Sequence, residues 1–403
     1  MPTPFSFVVR RPDPDSPARL GQLVMPHGVI DTPAFVVLGT QGAVKSLQPD
    51  EVAALGTQAI LANTYHLALR PGADLVAEFG GLHVFMGWSG PLFTDSGSYQ
   101  VVSRTFGPTA ARGRLVGTFP DDAAGTGRRP NATASAQAKL VRVDDDGITY
   151  RSHIDGSTHR LTPDSSIGLQ EQLGADIMLA LDEPTAPHHN DAHTARALAR
   201  SHRWAAQSLA ARTQNAAALF AVVQGGTVKA LRQESAAHLG ALPLDGYAIG
   251  GSLGTTARDL QRVLDWSVPA LPEDRPRHLP GIGAPADLFR GVERGIDLFD
   301  SALPLWQAQR GILLTADGPL TITRAKYRED DGPVDPTCAC PTCTTFSRAY
   351  LRHLFVAEEM LAATLATTHN LAFTLGLLRR IREALAAGTL DTLKADVLRP
   401  GQR

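Results

Sequence analysis

Eight short apolar runs, near residues 34–38, 59–63, 92–95, 176–182, 219–224, 247–250, 278–282 and 297–300, recur along this chain with helical patterns in most of the gaps. That alternation limits the fold more than any other feature. Parallel strands cannot be joined by a tight turn, so each needs a crossover, usually a helix. Helix candidates lie at 49–55, 163–173, 191–212, 228–239, 256–266 and 285–294. Two of them open on a polar residue followed by proline, at Gln48-Pro49-Asp50-Glu51 and Thr162-Pro163-Asp164. This is a start signal, because the first helical N–H has no partner within the helix. Eight such units over roughly 280 residues predict an α/β TIM (β/α)8 barrel, with a doubly wound open sheet as the main rival. The polar residues favour the barrel. Asn63, Asp95, Asp182, Gln224, Gly250, Gly283 and Asp300 all fall at C-terminal strand ends, the face on which barrel enzymes gather their reactive groups.

Two segments break the rhythm. Residues 103–147 are rich in Ala, Gly, Thr and Arg without a clear period, and read either as a lid or as a surface insertion with no catalytic part. Beyond Pro333 come the chain's only three cysteines, Cys338, Cys340 and Cys343, and then helical sequence to about Ala387 that contains His369. Thiolates at C-x-C-x₂-C spacing can hold three corners of a tetrahedral ion, and a distant histidine can close the fourth. With four protein ligands no position is left for water, so the expected ion is one structural zinc per chain. The expected organisation is a barrel over 1–333 and a zinc-binding helical subdomain over 334–403, packed on it.

The cysteines leave no disulfide framework, and a reduced cytoplasmic setting is expected. No hydrophobic leader is apparent in residues 1–17, and no apolar stretch approaches the roughly 18 residues expected of a membrane span. A formal charge of −2 gives no global basic footprint, so a nucleic-acid partner would need a local patch of cations.

Asp95 and Asp300 are the carboxylates that stand out, at the ends of different strands. Across a barrel mouth one carboxylate can attack a sugar C1′ while the other handles the leaving group's proton. Each could equally cap a helix or turn. Spacing alone therefore gives a barrel enzyme of glycosidase-like chemistry and no more.

Longer strings carry a resemblance. They are Asn63-Thr64-Tyr65-His66-Leu67, Leu69-Arg70-Pro71-Gly72, Thr94-Asp95-Ser96-Gly97-Ser98-Tyr99-Gln100, Ser152-His153-Ile154-Asp155-Gly156-Ser157, Gly174-Ala175-Asp176-Ile177, Asp182-Glu183, Gln224-Gly225, Tyr247-Ala248-Ile249-Gly250-Gly251 and Gly295-Ile296-Asp297-Leu298-Phe299-Asp300. Together with the Cys338, Cys340, Cys343 and His369 set, they resemble the bacterial tRNA-guanine transglycosylases from about residue 20 to 385. The resemblance implies a zinc-containing TIM barrel that exchanges guanine at the tRNA wobble position for a 7-deazaguanine, a queuine precursor. It implies that Asp300 is the nucleophile of a covalent ribosyl–enzyme intermediate and Asp95 the general acid and base. Asp182 and Gln224 would bond the purine edge, with Gly250 and Gly251 helping through backbone groups. Ser96, Gly97 and Ser98 would line the pocket, and Tyr99 would stack on the base. Contacts to the polynucleotide would come from Gly281, Gly283, Ala284 and Asp287 and from Trp306, Gln309 and Arg310. Phe346, Tyr350 and His353, spaced to share one helix face, match positions of interface aromatics and imply a homodimer.

The resemblance fails at the rim. After Leu303-Pro304 the family reads Thr-Arg-x-x-Arg-Asn-Gly, whereas this chain reads Leu305-Trp306-Gln307-Ala308-Gln309-Arg310-Gly311. Both arginines are missing, and Arg310 stands at the asparagine position. Ala284 replaces a lysine, Pro280 a methionine, Ser98 a glycine and Pro184 a cysteine, and Ser252-Leu253-Gly254 departs from the family continuation. Weaker, less salt-dependent tRNA binding is the expectation, with Trp306 available to stack on a base. The alternatives are the same exchange on DNA, on an unusual RNA or on a free nucleoside or nucleotide, simple nucleoside hydrolysis, and a non-catalytic partner subunit.

Overall fold

The computed structural model describes residues 5–13, 16–103, 141–213 and 217–398. Three strands, β1 (Ser6–Pro12), β2 (Arg19–Met25) and β3 (Gly28–Thr32), form an antiparallel sheet. Along β2 alternate residues are buried, which leaves one face toward the core and the other toward solvent. Next come β4 (Ala34–Leu38), β5 (Ile60–Ala62) and β6 (Leu92–Thr94) of the barrel. An antiparallel sheet follows, made of β7 (Val141–Asp144), β8 (Gly147–Arg151) and β9 (Thr158–Leu161). The barrel resumes with β10 (Ile177–Leu179), β11 (Ala218–Val223), β12 (Gly246–Ile249), β13 (Arg277–Leu279) and β14 (Leu298–Asp300). A two-stranded ribbon, β15 (Ile312–Leu313) with β16 (Leu320–Thr321), ends the strand set.

The eight barrel strands are all parallel and close when β14 pairs with β4, Leu298 opposite Ala34 and Asp300 opposite Val36. The doubly wound rival is thereby excluded, since an open sheet has two unpaired edges. Every residue of β4, Ala-Phe-Val-Val-Leu, is buried, as expected of a parallel strand covered on both faces. The expected helices appear where the caps placed them. Thr162 accepts a hydrogen bond from the Ser165 N–H and opens Pro163–Leu173, and a left-handed Gly174 (φ 75°) closes it.

The β7–β9 sheet packs Ile148, Tyr150 and Leu161 against Tyr65 and Trp204, forming a second apolar cluster beside the barrel. Most of the unpatterned 103–147 stretch, residues 104–140, lies outside the described residues. A third cluster gathers Leu313, Ile322, Val334, Cys340, Cys343, Leu351, Leu354 and Leu365 around the cysteines. The 28-residue helix Met360–Ala387 joins it to the barrel. Its first half enters the cysteine cluster through Leu365 and Ala366, and its second half enters the barrel core through Leu377, Leu378 and Ile381. By length and composition this helix could cross a membrane, contrary to the expectation that no stretch would. Yet 61% of its most apolar window is buried in the fold, as befits a helix shared by two cores.

Candidate active site

A pocket at the C-terminal ends of the strands is lined by Asp95, Ser96, Gly97, Ser98, Tyr99, Gln100, Asp182, Gly250, Gly251 and Asp300, with Leu61, Leu179, Pro184, Val222, His278 and Pro280 completing its walls. Residues from β5 to β14 converge here because each strand delivers its last residues to the same mouth.

Asp95 follows β6 and is held from four sides. Its Oδ1 accepts from the Thr64 N–H (3.0 Å) and the Gly97 N–H (3.2 Å), and its Oδ2 from Gln100 Nε2 (2.7 Å) and the Asn63 amide. These donors favour the charged form, but burial outweighs them and lifts the carboxyl to about 6. Gly97 is left-handed (φ 79°), which turns the chain from β6 into the helix Ser98–Val102.

Asp182, after β10, is buried. Its Oδ1 accepts from Ser98 Oγ at 2.6 Å and Ser96 Oγ at 3.3 Å, and its Oδ2 from Gln224 Nε2 at 2.6 Å. Burial again pushes the carboxyl above its ordinary range. Ser98, a departure from the family string, thus supplies one of this acid's two shortest hydrogen bonds. Gln224 Oε1 is buried without a protein partner among the described residues. A Cβ on Gly251 would fall 1.9 Å from that Oε1, and one on Gly250 would fall 2.5 Å from Val222 Cγ1. Only glycine lets this turn approach Gln224 so closely. The set offers a flat heterocycle fixed donors and acceptors on its edge and Tyr99 beside it.

Asp300 ends β14, is buried, and accepts from His278 Nε2 at 2.7 Å. Sequence reasoning missed His278. The available signal was a polar residue inside a barrel strand whose neighbours are buried.

The rim is built differently. Gly281 is left-handed (φ 76°), and a Cβ on Gly283 would meet that of Ser301 at 2.7 Å. Ala284 is the N-cap of the helix Pro285–Val292 without a side-chain cap bond, and the buried Asp287 pairs with Arg290 at 2.7 Å. On the helix Leu303–Gln309, Trp306 and Gln309 are half-buried, and the guanidinium of exposed Arg310 lies 3.9 Å from the centre of the Trp306 ring. The indole's accessible partner in this structure is therefore a cation.

Away from the mouth, Cys338, Cys340, Cys343 and His369 bring their ligand atoms within 4.8 Å of one another. Ligands of one tetrahedral zinc lie about 3.3–3.8 Å apart. His369 Nε2 donates to the Leu314 carbonyl at 2.6 Å, which leaves Nδ1 bare and 3.2 Å from Cys343 Sγ. The thiols also push one another apart in acidity, Cys340 down to about 3 and Cys343 up, through the hydrogen bonds they share. Three sulfurs this close could all be thiolates only around a cation, so donor set, tautomer and spacing all fit a metal ion. The adjacent Asn370 accepts from Leu314 N–H and donates to Pro304 and Ile312 carbonyls, tying this corner to the helix after Asp300.

His27, His83 and Asp176 also lie close together. The two rings stack 3.6 Å apart at 18°, so their lone pairs run parallel and do not converge on one ion. His27 bonds Asp176 Oδ1 at 2.7 Å, and Asp176 Oδ2 accepts the Leu92 N–H at 2.9 Å. We read the trio as a brace between the start of β6 and the chain entering β10. Phe346 stacks on exposed Tyr350 at 5.3 Å, and exposed His353 follows one turn on.

A sequence model of the family described as queuine tRNA-ribosyltransferase matches residues 13–112 and 128–402. Among similar proteins, the queuine tRNA-ribosyltransferase of Herpetosiphon aurantiacus is 46% identical over 385 residues, covering 95% of this chain and 90% of the relative. Proteins of the same name from Moorella thermoacetica (43%, covering 97% and 96%) and Roseiflexus sp. (43%, covering 98% and 99%) match at similar levels.

Proposed function

The chain belongs to the queuine tRNA-ribosyltransferase family, and from that premise we propose that its mouth pocket exchanges guanine for a 7-deazaguanine at the tRNA wobble position through a ribosyl–Asp300 intermediate. The enzyme is a pentosyltransferase of the tRNA-guanine transglycosylase type, so the acceptor class follows from the family and the steps from the site.

One observation carries the mechanism. A single pocket joins a buried carboxylate at the end of β14, a second carboxyl poised near pH 6 after β6, and the acid Asp182, backed by the Gln224 amide and suited to a purine edge. The wobble guanosine must leave its stack to enter. Asp182 and Gln224 would hold the guanine edge while Asp300 attacks C1′. As the C1′–N9 bond breaks, its electron pair goes to the departing base, which Asp95 protonates. The incoming base loses a proton to Asp95, attacks C1′ and releases the Asp300 carboxylate. An acid that gives and then takes a proton works best with a value near the operating pH, which its burial supplies.

Cys338, Cys340, Cys343 and His369 would hold one zinc, which stabilises residues 334–403 and takes no part in the exchange. The Phe346, Tyr350 and His353 face would join two copies. Light scattering at micromolar concentration checks that assembly, and a monomer would contradict it. The polynucleotide would run over the rim formed by 281–287 and 306–310.

Labelled guanine incubated with the enzyme and bulk tRNA, DNA or guanine nucleosides tests the function. Label entering tRNA alone is the expected result. Label entering DNA or nucleosides instead would move the acceptor away from tRNA, and release of guanine without incorporation would replace exchange by hydrolysis.

A further inference from the structure

His278 and Asp300 share a buried hydrogen bond in the pocket wall that no step above uses. Their side chains are 1% and 3% exposed, and Nε2 lies 2.7 Å from Oδ1. The contact follows from register. His278 sits opposite Leu298 in the parallel pairing of β13 with β14, so two residues further along β14 the Asp300 side chain returns to the same face. An ionised carboxylate only accepts, so the proton must sit on Nε2. The other ring nitrogen, Nδ1, is buried with no hydrogen-bond partner among the described residues, and the edge-on ring of Phe93, 6.0 Å away, packs beside the imidazole. Among the described residues no other group bonds the ring, so its one polar contact there is the carboxylate.

We propose that His278 is a positioning residue that keeps the ribosyl–Asp300 ester reactive, an inference that rests on the nucleophile reading above. The Nε2–H engages Oδ1, which leaves Oδ2 to form the bond to C1′. When that bond forms, the carboxylate's negative charge is lost, and when the incoming base breaks it the electron pair returns to Asp300. A hydrogen bond to a full charge is about twice as strong as one to a neutral ester oxygen. The imidazole therefore favours the carboxylate over the ester, and so helps Asp300 act as the leaving group of the second displacement. The same bias limits accumulation of a stranded intermediate.

The test uses full-length zinc-loaded protein and a tRNA anticodon stem-loop with guanosine at the wobble position. The denaturation-resistant protein–RNA adduct is first accumulated without added base, then chased with excess guanine. His278→Leu should hold more adduct at steady state and release it about fivefold to tenfold more slowly than wild type. His278→Gln places an amide N–H near the lost Nε2 and should restore release to within about twofold. A purely structural role would instead lower adduct formation and leave release alone. If His278→Leu does not fold, His278→Asn takes its place, since its shorter amide falls short of Asp300. Release at the wild-type rate in the donor-less variant, or equally slow release in His278→Gln, overturns the proposal. An absence of adduct in wild type would instead overturn the nucleophile reading, and this inference with it.

Discussion

The barrel mouth and the cysteine corner are both clusters of buried polar groups, yet they are assembled in opposite ways. The corner draws four ligands from a 32-residue stretch, three of them within six positions. The mouth draws Asp95, Asp182, Gln224 and Asp300 from four strands spread over some 200 residues, and each is held by side chains from other elements. In the corner a cation would relieve the unfavourable closeness of the thiols, and the result would be stability. In the mouth the donors around Asp95 do not cancel the cost of burying it, so the carboxyl stays near 6, ready to trade a proton. A structural cluster is satisfied at rest. A reactive one is left short of satisfaction, and the fold around it carries the cost.

The largest expected effect tests that contrast at Asp95. Asp95→Asn should lower exchange about 10²- to 10⁴-fold, the usual range for a general acid–base group. Because the folded-state value is raised, the native protein binds more protons than the unfolded chain between about pH 4 and 6, and the stability contribution of Asp95 falls as pH rises through that window. Asp95→Asn should therefore raise the melting temperature at pH 7.5, with the gain shrinking toward pH 4. In wild type, single-turnover loss of guanine should decline above about pH 6, and that limb should be missing in the variant. A melting temperature lowered at pH 7.5 would make Asp95 a structural anchor like the corner's residues.

Cys343→Ser approaches the comparison from the other side. It should lose the metal and about 3 kcal/mol or more of stability, read by metal content and denaturant titration. The activity per folded molecule should stay close to wild type. A large activity loss at unchanged stability would join the two regions functionally.

Asp182→Asn should raise KM for free guanine about tenfold or more and change kcat less, because it removes a hydrogen-bonding carboxyl from the base edge. Unchanged KM would remove Asp182 from the edge set. The smallest effect concerns the rim. Trp306→Arg with Gln309→Arg should strengthen tRNA binding and steepen its salt dependence by roughly 0.7–0.9 for each phosphate newly neutralised. An unchanged slope would mean that this helix does not face the phosphates.

What could be read in advance divides along the same line. Each barrel strand lay within a few residues of its expected place, because buried parallel strands are continuous apolar runs such as Ala34–Leu38. The corner was legible because its ligands are close in sequence. The β1–β3 and β7–β9 sheets were not foreseen. In β2 the alternation carries a charged Arg19, which is nonetheless buried because it pairs with Asp297, 278 residues away. His278 escaped notice for the same reason. Its partner is 22 residues away on the next strand, and only the register of β13 against β14 joins them. Ser98 looked like a plain departure from a glycine until its hydroxyl was found on Asp182. Trp306 looked free to stack, and Arg310 one turn later occupies its face. Local patterns survive in sequence, whereas contacts made across strands do not.

The central claim is that the exchange passes through a covalent bond between Asp300 and the ribose. Its most direct measurement is mass spectrometry of the denatured protein after incubation with a wobble-guanosine stem-loop, comparing wild type with Asp300→Asn. An amide cannot form the ribosyl ester, so the account predicts an RNA-sized mass increment on wild type, mapped to the peptide containing Asp300, and none on the variant, which should keep its fold and lose exchange. An increment on another residue, or undiminished exchange in Asp300→Asn, would contradict it.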